Sequence, residues 1–63
     1  MTLLSRSQRQ EAWDAGLVAA MRHHIEGAPI ASPWGAQSRL TQIFRQAAGA
    51  ADQAMVQLRS RYS

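Results

Sequence analysis

An all-α, two-helix hairpin, completed by dimerisation or by a partner, is the fold this sequence predicts. Three observations predict it. Two proline-free stretches with helical periodicity run over about residues 8–26 and about residues 36–61, and the Gly- and Pro-rich segment lies between them at 27–35. The third observation is size: 63 residues make one small domain (1–63), and twelve of its twenty-nine apolar residues are alanine. Seventeen larger apolar side chains enclose only a thin core, and with no cysteine a disulfide cannot reinforce it.

The first helix opens on Ser7-Gln8-Arg9-Gln10, which fits a capping box, and Glu11 suits the positive end of the helix dipole. Trp13, Leu17, Ala20, Met21 and Ile25 then recur on one face, which reads as the packing stripe. Ala12, Ala15, Gly16 and Ala19 lie on the other flank. Such small residues either let a second backbone come close or simply favour helix. Gly27, with Pro29 behind it, ends the helix.

The connection carries Ile30 and Trp34, which are expected to fold back over the helix ends, and Ser32-Pro33 has the chemistry of a helix start. The second helix has the clearest pattern. Leu40, Phe44, Ala47, Ala51, Ala54 and Leu58 follow strict 4-3-4-3-4 spacing, and Ile43 and Met55 widen the seam. Alanine at its centre calls for a close partner helix. At 1.5 Å per residue the helices measure about 29 and about 39 Å, so the longer one overhangs. Met55, Leu58 and Tyr62 then need a cover other than the first helix: Met1 to Leu4 folded across them, a second copy, or another protein.

Seven arginines, no lysine and four acids give a net charge of +3. Arginine without lysine suits bidentate phosphate or carboxylate contacts, or reflects nothing more than base composition. No segment is long and apolar enough for a signal peptide or a bilayer span, so no membrane role and a cytoplasmic location are expected. There is no Cys or Lys nucleophile and no glycine-rich phosphate loop, so neither catalysis nor a small-molecule substrate is expected. His23 and Glu26 could share one face of a helix, but a third ligand is missing, so metal and cofactors are assigned as none. The candidate polyanion contacts are Arg39, Arg45, Arg59 and Arg61, with Trp34 available for stacking, and Asp52 interrupts the stripe between Arg45 and Arg59.

One pattern runs across the chain: Ala12-x3-Gly16-x2-Ala19, then Gly27, then Pro33-Trp34, then Leu40-x2-Ile43-Phe44-Arg45-Gln46-Ala47. Over roughly residues 12–47 this resembles the ribosome modulation factor family, short basic bacterial proteins of two helices joined by a linker. Trp34 stands where that family has Tyr, Leu40 where it has an aromatic, and Ile43 where it has Gly. The resemblance implies ribosomal RNA binding and translational silencing, with Arg39 and Arg45 on phosphates.

The expected function is therefore binding. A small basic regulatory protein docks on a larger macromolecule, most specifically the ribosome. The alternative is a protein-directed adaptor or inhibitor, of phage or accessory type, or a small assembly subunit. It would act through the seam of Leu40, Phe44, Ala47, Ala51, Ala54, Met55 and Leu58, on a larger host protein or a second copy.

Overall fold

The computed structural model describes residues 3–62, and among them only helices and their connection occur. Helix α1 spans Arg6–Glu26 and helix α2 spans Arg39–Tyr62. The two pack against each other as the all-α reading expects. The molecule is long and narrow, 48 × 19 × 16 Å.

Helix α1 starts two residues earlier than Ser7 predicts, because Ser5-Arg6-Ser7-Gln8 is a second, overlapping capping frame. The Gln8 amide donates to Ser5 Oγ at 3.1 Å, and the Ser5 amide donates to Gln8 Oε1 at 2.9 Å. Two otherwise orphaned amides are thereby satisfied. The helix stops where expected. Gly27 takes the left-handed conformation (φ 72°), its amide donates to the His23 carbonyl at 2.9 Å, and His23 Nδ1 donates to the Ala28 carbonyl.

Helix α2 begins at Arg39 rather than near 36, so the connection runs over 27–38. A turn closes it, with the Ser38 amide donating to the Gly35 carbonyl. Ser38 Oγ then accepts the Leu40 amide at 3.2 Å. Ser32-Pro33 lies within the connection and starts no helix.

The contacts between the helices advance together along both chains. Trp13 lines a groove with Ile43 and Gln46, Gly16 abuts Phe44, Ala47 and Ala48, and His24 Nε2 donates to Asp52 Oδ1 at 2.6 Å. The helices therefore lie side by side in the same direction, and the connection doubles back along them. At about 3.3 Å per extended residue, a connection of this length can retrace most of α1.

The face of α1 that packs is the small one. Ala12, Gly16 and Ala20 are buried, against Thr41, Phe44, Ala47 and Ala48 of α2. The predicted stripe is overturned: Trp13 and Met21 are exposed at 38% and 44%, Ile25 is 81% exposed and Leu17 is half-buried, so of its members only Ala20 is in the core. The reason is distance. A Cβ on Gly16 would run into the Phe44 carbonyl oxygen and lie 2.7 Å from Ala47 Cβ, so the backbones approach closer than larger side chains permit. Dispersion along the backbones then takes the place of interdigitated large side chains.

Candidate functional site

The α2 seam divides into a covered half and an open half. Phe44 and Ala47 are buried, and Leu40, Ala51 and Met55 are half-buried. Ala54 and Leu58 are exposed, and so is Tyr62 at the end of the helix. Helix α1 ends alongside Asp52, which leaves the last turns of α2 beyond its reach; with 21 residues against 24, the overhang comes more from the axial stagger of the helices than from their difference in length. Ala54, Gln57, Leu58, Ser60 and Arg61 line an open groove on this tail. Leu3 is 78% exposed and precedes α1, at the opposite end of the molecule from the tail. Met1 and Thr2 lie outside the described residues, so Leu3 is the first residue that bears on whether the N-terminus folds across the tail.

Four residues that position this arrangement escape a reading by hydrophobic period. Thr41 is 1% exposed, and its hydroxyl is directed at the carbonyls of Gly35 (2.7 Å) and Trp34 (3.2 Å). Ser32 Oγ lies 2.8 Å away and donates to it, while accepting the Trp34 amide. This network moors the connection to α2, and every buried side-chain polar atom among the described residues has a partner. The His24–Asp52 bond pins the end of α1. Its partners stand 28 residues apart, with nothing local in the sequence to join them.

The candidate phosphate contacts are dispersed. Arg39, Arg45, Arg59 and Arg61 are all exposed on α2. Arg45 and Arg59 share a flank with Asp52, whereas Arg39 and Arg61 lie on a different side of the helix. Trp34 is half-buried and meets Phe44 edge-on, ring centroids 6.4 Å apart, so it serves the core as a lid. The net charge sits on α2, which has four arginines and one aspartate, while α1 carries three residues of each sign.

His23 caps the end of α1, and Glu26 pairs with Arg22 at 3.5 Å across exposed side chains. Among the described residues no three His, Cys, Asp or Glu side chains are grouped to hold a metal ion. No described helix is long and apolar enough to cross a membrane.

The outward side of α1 is a second uncovered surface. Val18, Met21 and Ile25 are 48%, 44% and 81% exposed and share one face with Glu11 and Asp14, in 3-4-3-4 spacing. No family model, curated protein or solved structure matches the chain.

Proposed function

We propose that this chain is a non-catalytic docking protein that attaches through the tail of α2 to a helical surface of another protein. The observation that carries the reading is that the seam outruns α1: Leu58 and Tyr62 stand half or more exposed on a face whose earlier turns are buried. Apolar residues at seam spacing, with one side uncovered, suit a helix-on-helix contact. The core alanines Ala47 and Ala48 are already occupied by α1, so the docking part of the predicted seam contracts to Ala51, Ala54, Met55 and Leu58. The test is Leu58→Glu. It leaves the helix pair folded, because the site is outside the core, and removes binding to a protein partner in affinity purification from native lysate. Unchanged recovery of the same partner contradicts the reading.

A second reading, docking on ribosomal RNA, is favoured by the concentration of the net charge on α2 and by the family resemblance over residues 12–47. It predicts affinity that falls steeply with salt, and a salt slope about one unit shallower in Arg45→Ala. A salt-insensitive complex counts against it.

A further inference from the structure

The two uncovered surfaces complement each other in charge and size, and we infer that the α2 tail docks antiparallel on the outward face of α1 of a second copy of this chain. This rests on the docking reading and names its partner.

The heptad positions of the tail are Ala51, Ala54, Leu58 and Arg61, spaced 3-4-3. Those of the outward α1 face are Asp14, Val18, Met21 and Ile25, spaced 4-3-4. The two spacings differ by one residue at each step, so with Leu58 set on Val18 in opposite directions every pair stays within about one residue rise, 1.5 Å, of its partner. Small then meets large: Ala51 faces Ile25, and Ala54 faces Met21. Leu58 faces Val18, and the Arg61 guanidinium reaches the Asp14 carboxylate, which already accepts the Gln10 carboxamide at 2.9 Å. A parallel pairing would instead set Arg61 against Ile25, a charge against the most exposed aliphatic side chain of α1. Ala51 is half-buried beside α1 of its own chain and marks the inner edge of the contact; beyond it the approach is open, because α1 meets this part of α2 through Asp52, on a different side of the helix from Ala54, Leu58 and Arg61.

The two surfaces differ, so the contact is heterologous and adds copies head to tail. Four layers fall short of the about 800 Å² a side that stable complexes bury, so the association is weak and grows with concentration.

Sedimentation equilibrium over a concentration series tests it, with Arg61→Asp and Asp14→Arg as variants and circular dichroism confirming that each keeps its helix content. The wild-type average mass is expected to rise above 7.0 kDa with concentration, less so at high salt. Each variant alone sets like charges opposite and should associate roughly tenfold more weakly or worse. An equimolar mixture of the two should recover wild-type association, since both cross-contacts join opposite charges. A wild type that stays at 7.0 kDa, variants that associate as it does, or a mixture that fails to recover would each overturn the inference. If the wild type is monomeric while Leu58→Glu still removes a different protein partner, this inference falls and the docking reading stands. If Leu58→Glu alters neither association nor partner binding, both fall.

Discussion

The two halves of α2 share one sequence pattern and have opposite fates. From Thr41 to Asp52 the helix is gripped by α1 and by the connection, through small side chains, one buried hydroxyl and the hydrogen bond from His24 to Asp52. From Ala54 to Tyr62 the same seam spacing continues into solvent. Periodicity marks a face that is able to pack. Whether it does pack is decided by the reach of the opposing helix and by how near the backbones can come.

The largest expected effect breaks the gripped half. Gly16→Ala gains about 1 kcal/mol of helix propensity but drives a methyl into the Phe44 carbonyl, and overpacking at a backbone contact costs about 3 kcal/mol or more. A lowered melting midpoint, or loss of a cooperative melt, is expected. An unchanged midpoint would show that the helices lie further apart than described.

Next comes Thr41→Val, which keeps the shape and removes the hydroxyl. The Gly35 and Trp34 carbonyls and the Ser32 hydroxyl lose their partner, so a loss of about 2 kcal/mol is expected in denaturant titration. Trp34 fluorescence should also become more solvent-exposed.

Gly49→Ala sharpens the comparison by reversing the sign. Gly49 is exposed and a Cβ there meets nothing within 4 Å, so the same substitution that harms position 16 should stabilise by about 1 kcal/mol. The smallest effect belongs to the tail. Leu58→Ser should change stability by no more than about 0.5 kcal/mol, because an exposed side chain gives up little burial.

Much of this was legible in the sequence: two helices, the glycine stop at Gly27 and the Phe44–Ala47 seam follow from spacing, whereas the overhang, expected from unequal lengths, comes mainly from the stagger of two helices of nearly equal length. What misled was the face of α1. Weighing side chains by size selects Trp13, Met21 and Ile25, whereas the fold selects Ala12, Gly16 and Ala20, whose smallness is what allows close approach. The direction of packing is set by a connection that doubles back, and its mooring at Thr41 is a polar bond that carries no hydrophobic period. Ser5 and Ser7 both head an S-x-x-Q frame, and only the geometry tells them apart. The exposed positions Ala54 and Leu58 fall on the spacing read from the sequence, whereas the outward face of Val18, Met21 and Ile25 on α1 was not read as one face, because Glu11 and Asp14 continue its spacing.

Amide hydrogen exchange along α2, at concentrations dilute enough to hold single chains, measures the division directly. Protection is expected to be strong from Phe44 through Ala51 and to fall steeply past Asp52, leaving Val56 to Tyr62 exchanging close to the rate of an isolated helix. Uniform protection to the end of α2 would contradict the account, because it would mean that the chain already covers its own tail.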